Sequence, residues 1–271
     1  MQKLLIIANW KMNPQTFKEA ERLFEAADKN AKGAKNAEIV ICPPYVQMSD
    51  IRFQMSGKSK NGIKLGSQNC FWERQGAYTG EVSAAMLKDL GCEYVIVGHS
   101  ERRQYFGETD EIINKKLKAV LSARLKPILC IGESADEKEQ IKSILEGHLK
   151  GCLEGIKQNQ IANIIFAYEP VWAISTSGNE FCAPDYAFSA GLLMRKFLLD
   201  RYGKYAGKKP KIIYGGSVDA KEKNAVMYIR EAKMDGVLVG AASLKAEEFG
   251  KIIKSIGEIN QNSNVKSQNH I

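Results

Sequence analysis

Four polar side chains in this sequence are of the types that move a proton and stabilise the charge left behind: Glu169, His99, Lys11 and Asn9. Glu169 directly follows the apolar run Ile164–Tyr168 and precedes Pro170, at the start of a polar, loop-like stretch. A carboxylate at the end of a buried strand becomes a stronger base when a loop excludes water from it. The alternative is that Glu169 only ends a strand, and this segment alone does not decide between the two.

Lys11 and His99 each allow more than one interpretation. Lys11 could meet substrate charge or pair with a surface acid, and His99 could be a general acid, a metal ligand or a buried structural histidine. We expect no metal site, because no second His or Cys stands at ligand spacing near His99. His148 lies in a helical stretch rich in Lys and Glu and is expected to face water.

Two glycine-containing turns near the end of the sequence predict an anion site. Gly215-Gly216-Ser217 and Gly240-Ala241 each follow an apolar run and precede a helical pattern. Backbone N–H groups at such turns carry partial positive charge, so a phosphate is the expected guest. The simpler alternative is that both are tight turns.

Composition indicates a cytoplasmic globular protein that does not bind nucleic acid. The chain has 271 residues, 44% of them hydrophobic, and a formal charge of +8. Lysines such as Lys115, Lys116 and Lys118 are spread along helical segments, which is typical of a solvated surface. Six scattered cysteines without a CxxC pair and an N-terminus too short for a signal segment favour a reducing compartment, and no apolar run approaches the roughly 18 residues of a membrane span.

The chain alternates short apolar runs with amphipathic helical patterns. The runs are Leu4–Ala8, Ala37–Cys42, Ile63–Ser67, Tyr94–Val97, Pro127–Ile131, Ile164–Tyr168, Lys211–Tyr214 and Val237–Val239. This order predicts an α/β fold, a single-domain (β/α)8 barrel over residues 1–257, followed by a disordered polar tail over 258–271. A doubly wound open sheet is the alternative, but Asn9–Asn13 stands where that fold would usually carry a G-x-G-x-x-G turn. In the barrel, Asn9, Lys11, His99, Glu169 and the two glycine-containing turns follow strand ends. They would meet at one mouth of the barrel, at the carboxyl ends of its strands.

Six sequence blocks together resemble triosephosphate isomerase. They occur in the order and spacing of that family, from about residue 4 to residue 256: Asn9–Asn13, Gly76–Glu81, Gly98–Arg103, Cys130–Glu133, Ala167–Ile174 and Tyr214–Val218. The resemblance implies a TIM barrel that interconverts dihydroxyacetone phosphate and D-glyceraldehyde 3-phosphate through an enediolate, in glycolysis and gluconeogenesis, without a cofactor. Two alternatives stay open, another sugar-phosphate isomerase and a catalytically inactive phosphate-binding barrel.

The resemblance also implies a role for each site residue. Glu169 would be the base, His99 would polarise the carbonyl as neutral imidazole, and Lys11 and Asn9 would stabilise the oxyanion, which is the established scheme of this family. Glu101 would orient Lys11, and Ser100 would hold Glu169 while the loop after it is open. Ile174 and Leu238 would press on the carboxylate when that loop closes, and Cys130 matches a family position at the base of the mouth. Phosphate would be bound by Ser175, Gly215, Gly216, Ser217, Gly240 and Ala241.

The sequence departs from the family at the loop and at the last turn. Ile174–Pro184 is two residues longer than the usual loop, and Ser175 and Ser177 replace glycines. Ser175 can still donate its N–H, but its Cβ narrows the accessible φ/ψ range. Ala241 replaces the second of two glycines and brings a methyl group close to the phosphate. We expect altered loop kinetics with the chemistry intact.

The segment Gly66–Glu81 is expected to mediate a homodimer. With Tyr78 and Thr79 at its tip, it resembles the loop by which one subunit inserts into a pocket beside the active site of the other. The alternative is an ordinary surface loop.

Overall fold

The computed structural model describes residues 3–57, 61–174, 180–203, 210–221 and 225–259. Within them, parallel strands β1 to β8 close into a barrel in chain order, with β8 paired to β1. The strands are β1 Leu4–Asn9, β2 Ala37–Cys42, β3 Lys64–Ser67, β4 Tyr94–Val97, β5 Lys126–Ile131, β6 Ile165–Tyr168, β7 Ile212–Tyr214 and β8 Gly236–Val239. The predicted (β/α)8 barrel is confirmed, and each strand end lies within one residue of its prediction.

Helices follow the strands on the outside of the barrel. They are α1 Phe17–Ala31, α2 Tyr45–Gly57, α3 Ala84–Asp89, α4 Ser100–Phe106, α5 Asp110–Ser122, α6 Ile141–Cys152, α7 Gln158–Ile161, α8 Pro184–Tyr202, α9 Ala225–Arg230 and α10 Ala246–Gly257. Thr16 caps α1 by accepting a hydrogen bond from the backbone N–H of Glu19 at 3.3 Å, and Thr109 caps α5 in the same way. No helix of the described residues has both the length and the apolar character that crossing a bilayer requires.

Successive residues of most strands enter two different apolar cores. Leu5 and Ile7 of β1 point into the barrel, whereas Leu4 and Ile6 pack under the helices. Because both faces of a parallel sheet are covered, most strand positions are apolar instead of alternating with polar residues. The exception is β3, which reads Lys-Leu-Gly-Ser. The alternation continues past the strand ends, so Asn9 shares the inward face of β1 with Leu5 and Ile7.

Two expectations about surface residues were wrong. Lys116 is buried on α5, where its Nζ lies 2.5 Å from Oε1 of Glu108 and 2.7 Å from Oδ1 of Asn69. These acceptors satisfy the ammonium and allow its burial. His148 on α6 is half-buried, because its Nδ1 contacts the carboxylate of Asp110 at 2.9 Å across the α5–α6 interface. Of the predicted polar tail over 258–271, Ile259 is buried in the core, and positions 260–271 lie outside the described residues.

Candidate active site

A cavity of about 310 Å³ opens at the carboxyl ends of the strands. Its wall includes the four residues expected to do the chemistry, Asn9, Lys11, His99 and Glu169. Most of the expected supporting and phosphate-binding residues also contribute: Ile174, Gly215, Gly216, Ser217, Leu238, Gly240 and Ala241. The fold therefore brings together residues that are up to 232 positions apart, as the numbers of Asn9 and Ala241 show.

Glu169 is a buried carboxylate held at the end of β6. Its side chain is 2% exposed. The carbonyl of Ile131 accepts the Glu169 backbone N–H at 2.8 Å, and the Ser100 backbone N–H donates to Glu169 Oε2 at 3.2 Å. Oε1 has no aligned hydrogen-bond donor among the described residues and lies 3.3 Å from His99 Nε2. One oxygen is thus anchored, and the other faces the imidazole.

Ser100 contacts Glu169 through its backbone N–H and not through its hydroxyl. Ser100 is the first residue of α4, and the first amides of a helix have no acceptor inside the helix. The start of α4 thereby supplies a donor to the carboxylate without using a side chain.

Hydrogen bonding fixes the tautomer of His99. The Glu101 backbone N–H donates to His99 Nδ1 at 3.2 Å. Nδ1 therefore acts as the acceptor, and the ring proton of the neutral imidazole belongs on Nε2. A second proton, on Nδ1, would face this N–H group. Nε2–H is left to donate toward the cavity, next to Glu169.

Lys11 adopts a left-handed backbone conformation, with φ of 54°. Its N–H donates to Asn9 Oδ1 at 3.0 Å, and its carbonyl accepts from Gln68 Nε2 at 2.8 Å. The ammonium lies 2.8 Å from Oε1 of Glu101. Left-handed conformations of residues with a Cβ are uncommon and persist only when the surroundings hold them. Glu101 contacts Lys11, as the resemblance implies.

Two glycines are required by the close approach of Glu169. A Cβ on Gly132 would lie 1.8 Å from the carbonyl oxygen of Glu169, and one on Gly215 would lie 2.7 Å from its Cγ. The first contact is with backbone, so no side chain could rotate away to relieve it. The loops after β5 and β7 therefore fix the position of Glu169 from both sides.

The expected phosphate-binding groups differ in whether they are available. The N–H groups of Gly215 and Ser217 donate to the carbonyls of Tyr168 and Ala173, at 2.7 and 3.1 Å. The buried Oγ of Ser217, by contrast, has no partner among the described residues. Gly240 precedes a short 3-10 turn, Ala241–Leu244, and the first amides of such a turn have no internal acceptor. Ser175 and Ser177 lie outside the described residues.

Cys130 lies inside the barrel beneath the cavity, in the same inner core as Leu238. Burial raises the pKa of its thiol well above the usual value, and the nearby carboxylate of Glu169 raises it further. The thiol therefore stays neutral beneath the base.

Sequence reasoning missed Glu133, which organises the wall behind Glu169. It is fully buried, and burial raises the pKa of its carboxyl even though several hydrogen bonds oppose this. Its Oε1 accepts from Trp172 Nε1 at 2.8 Å and from the hydroxyl of Tyr168 at 3.0 Å. Glu133 follows strand β5 as Glu169 follows β6, so the same pattern of an apolar run ending near a carboxylate could have identified it.

Charged residues near the two glycine-containing turns were also missed. Asp219, Lys245 and Glu248 line the cavity, and Lys245 Nζ lies 3.1 Å from Oε2 of Glu248. They follow the two glycine-containing turns by a few residues, and this spacing could have predicted that they lie near the cavity.

Comparison with known proteins agrees with this geometry. The family model described as triosephosphate isomerase matches residues 4–256. A triosephosphate isomerase of Alkaliphilus oremlandii is 44% identical over 255 residues, covering 93% of this chain and 99% of the relative. One of Dictyoglomus thermophilum is 44% identical over 258 residues, covering 94% and 100%, and one of Endomicrobium trichonymphae is 43% identical over 256 residues, covering 94% and 99%. The resemblance inferred from the six sequence blocks is confirmed, and the chain belongs to the triosephosphate isomerase family.

Proposed function

We propose that the protein interconverts dihydroxyacetone phosphate and D-glyceraldehyde 3-phosphate by moving one proton between two carbons. The observation that carries this proposal is the contact of 3.3 Å between Glu169 Oε1 and His99 Nε2, in the same cavity as Lys11. Base, electrophile and cation are then within reach of one small substrate. Family membership supports the same reaction.

The reaction begins when Glu169 removes a proton from the carbon beside the substrate carbonyl. The electron pair of the broken C–H bond moves to form an enediolate, and negative charge develops on the carbonyl oxygen. Glu169, now protonated, returns the proton to the neighbouring carbon. The hydroxyl proton of the first carbon moves to the former carbonyl oxygen, so the first carbon becomes the aldehyde and ketose is converted to aldose. Its burial and its single anchored oxygen keep the carboxylate desolvated and aimed during both steps.

Three groups stabilise the charge on oxygen. The Nε2–H of His99 donates to the carbonyl oxygen, and the ammonium of Lys11 lies in the same wall. Since Asn9 Oδ1 already accepts the Lys11 N–H, the Asn9 amide presents its NH2 group as a donor. Preorganised donors of this kind supply the largest part of such catalysis, because they are in place before the charge appears.

The phosphate is bound at the opposite end of the cavity. Ser217 Oγ, a buried hydroxyl without a described partner, is the clearest donor. The amides that begin the turn Ala241–Leu244 and the backbone of Gly216 and Gly240 complete the site. Ile174 and Leu238 form an apolar wall over the reacting carbons and limit the access of water, which would favour loss of phosphate from the enediolate.

The reaction requires no cofactor, because aldose and ketose are isomers and no external oxidant or reductant takes part. We also propose a cytoplasmic location, in glycolysis and gluconeogenesis. The six cysteines are free and buried, as is typical of proteins from a reducing compartment.

A homodimer completes the proposal. A groove of about 300 Å³ lies beside the catalytic cavity and shares Asn9, Lys11 and His99 with it. Large apolar side chains are exposed on the groove wall, among them Met12 at 85% and Phe106 at 67%. Such a patch favours a protein partner. The tip of the segment Gly66–Glu81, with Tyr78 45% exposed, is the apolar element of a second copy that would fill it.

The two alternative functions predict different substrates. Another sugar-phosphate isomerase would turn over a longer phosphorylated aldose better than the triose. An inactive phosphate-binding barrel would bind glycerol phosphate and the planar enediolate mimic phosphoglycolohydroxamate equally, since only a catalyst must favour the transition-state shape. The presence of base, electrophile and cation in one cavity favours the triose isomerase.

A coupled assay tests the proposal. Purified wild type should form glyceraldehyde 3-phosphate from dihydroxyacetone phosphate. Glu169→Asp, which withdraws the carboxylate by about one methylene, should lose roughly 100-fold or more in kcat, and Lys11→Met should lose at least as much. Wild-type activity no greater than that of the two variants rejects the proposal.

A further inference from the structure

Lys138 and Glu180 lie outside the catalytic cavity and hold Trp172 between them. Lys138 Nζ lies 3.6 Å from the centroid of the Trp172 ring, within the range of a cation–π contact. The same ammonium is 2.8 Å from Oε2 of Glu180. The Glu180 backbone N–H also donates to the carbonyl of Trp172, at 3.3 Å. The ammonium therefore contacts both the indole face and Glu180, whose backbone is hydrogen-bonded to that of Trp172.

The other edges of the indole are also held. Trp172 Nε1 donates to Glu133 Oε1 at 2.8 Å, and the ring of Tyr186 packs edge-on with centroids 5.5 Å apart. Trp172 is only 6% exposed. Lys138 adds a contact on the face of the indole to these contacts at its edges.

Trp172 is coupled to the base by a short path. It follows Glu169 by three residues, and the carbonyl of Glu133 accepts the Val171 backbone N–H at 3.0 Å. Gly132, next to Glu133, abuts the carbonyl of Glu169. A shift of the indole would therefore move Glu133 and Val171, and with them the backbone that carries the carboxylate.

Stability alone does not explain the location of this ion pair. The side chains of Lys138 and Glu180 are 33% and 56% exposed, and exposed pairs contribute little to folding. What distinguishes this pair from other surface pairs is its contact with Trp172.

We propose that Lys138 is a positioning residue for Glu169. Together with Glu180 it fixes the indole of Trp172, and through Trp172 and Glu133 it keeps the Glu169 carboxylate aimed at His99. This inference rests on the proposed function, because its main consequence is measured on the isomerase reaction.

The chain offers a matched control pair. Lys115 Nζ lies 2.9 Å from Oε1 of Glu111 and 5.9 Å from the ring centroid of Trp72, so it has the same three residue types in contact. It lies on α5, and its side chain does not line the catalytic cavity. A variant at Lys115 reports the effect of removing an exposed lysine beside a tryptophan without disturbing Glu169.

Steady-state kinetics of four variants tests the proposal. Lys138→Met should lower kcat roughly 5-fold with KM within twofold of wild type, because the substitution disturbs the orientation of the Glu169 carboxylate and not the binding of phosphate. Glu180→Gln should show a smaller loss in kcat, and Lys138→Arg should recover activity to within twofold of wild type. Lys115→Met should match wild type.

Three results overturn the proposal when the wild type is active. The first is an unchanged kcat in Lys138→Met. The other two are a loss of kcat in Lys138→Arg, or in Lys115→Met, as large as that in Lys138→Met.

A second measurement works even if the wild type shows no isomerase activity. The indole N–H of Trp172, assigned by NMR with a Trp172→Phe variant, should exchange with D2O about 10-fold faster in Lys138→Met than in wild type or Lys115→Met. An unchanged exchange rate overturns the proposal without reference to the reaction. An inactive wild type overturns the proposed function separately.

Discussion

The contrast between the two oxygens of Glu169 is the residue-level feature on which the chemistry depends. Oε2 is anchored by the amide of Ser100, and Oε1 is next to His99 with no aligned donor in the described part of the chain. An anchored carboxylate keeps its direction, and the other oxygen can accept a proton from the substrate. Substitutions that disturb either condition should affect the rate more than the binding of substrate.

Gly132→Ala should disturb both stability and rate. The added Cβ would lie 1.8 Å from the Glu169 carbonyl oxygen, a backbone atom that cannot rotate away. We expect a loss of about 2–3 kcal/mol in the free energy of unfolding, together with a lower kcat. Gly147→Ala on α6 is the control, because a Cβ there meets nothing within 4 Å. Equal unfolding midpoints for the two variants in urea would contradict the assigned contact.

Ser217→Ala should weaken binding of the phosphate. Because Ser217 Oγ is buried without a described partner, its hydrogen bond is available to the substrate. A hydrogen bond to a charged group contributes about 1.5–3 kcal/mol, so KM should rise by roughly 10-fold or more, with a smaller change in kcat. Ser189→Ala, whose hydroxyl bonds to Asp185 on the surface of α8, should leave KM unchanged. An unaltered KM in Ser217→Ala would place the phosphate elsewhere.

At the level of elements, the contact between α5 and α6 depends on pH through Asp110. Burial alone would raise the pKa of this carboxyl, but hydrogen bonds from His148 and Arg103 outweigh burial and lower the pKa to about 2 from its usual value of 3.8. A lowered pKa in the folded state stabilises the fold above about pH 4, and this contribution is lost as the pH falls toward 2.

Asp110→Asn should therefore cost stability in a pH-dependent way. The side chain is 26% exposed, so we expect about 1–2 kcal/mol at pH 6 after allowance for solvent screening. Urea unfolding of wild type and variant at pH 6, 4 and 3 should show this difference shrinking as the pH falls. A difference that is constant across the three pH values would exclude the ionised carboxylate as its source.

The sequence predicted the elements well because each strand is an apolar run bounded by polar residues. Lys116, Glu133 and His148 show what such reasoning misses, since each depends on a partner distant in the chain. Asn69, which bonds Lys116, is 47 positions away. Residue type gives the charge of such a side chain, but only the folded barrel shows the acceptor that allows its burial.

The active site of a (β/α)8 barrel lies at the carboxyl ends of its strands. This rule predicts the positions of the site residues but not their contacts. The strand ends predicted from the sequence place Asn9, His99 and Glu169 at one mouth of the barrel. That Ser100 acts through its amide, and that the Gly215 and Ser217 amides are already hydrogen-bonded, depends on backbone geometry. Such geometry has no signature in residue type.

At the scale of the whole molecule, the proposed dimer places one subunit's loop beside the other's catalytic residues. Thr79→Arg should prevent this, because the groove is small and already contains Lys11 and Arg102. We expect wild type to sediment with the mass of two chains and the variant with that of one, and activity to fall by roughly 10-fold or more. Thr79→Ser should keep the dimer. A fully active wild type with the mass of one chain would contradict the proposed assembly.

We propose above that Glu169 carries a proton between two carbons of a triose phosphate. Isomerisation in D2O, followed by NMR of the product, tests it most directly. Because a proton held on a carboxyl can exchange with solvent, wild type should place deuterium at the carbon that receives the proton, and Glu169→Asp should do so roughly 100-fold more slowly. Product that forms rapidly without deuterium, or at the same rate in Glu169→Asp, would contradict the account.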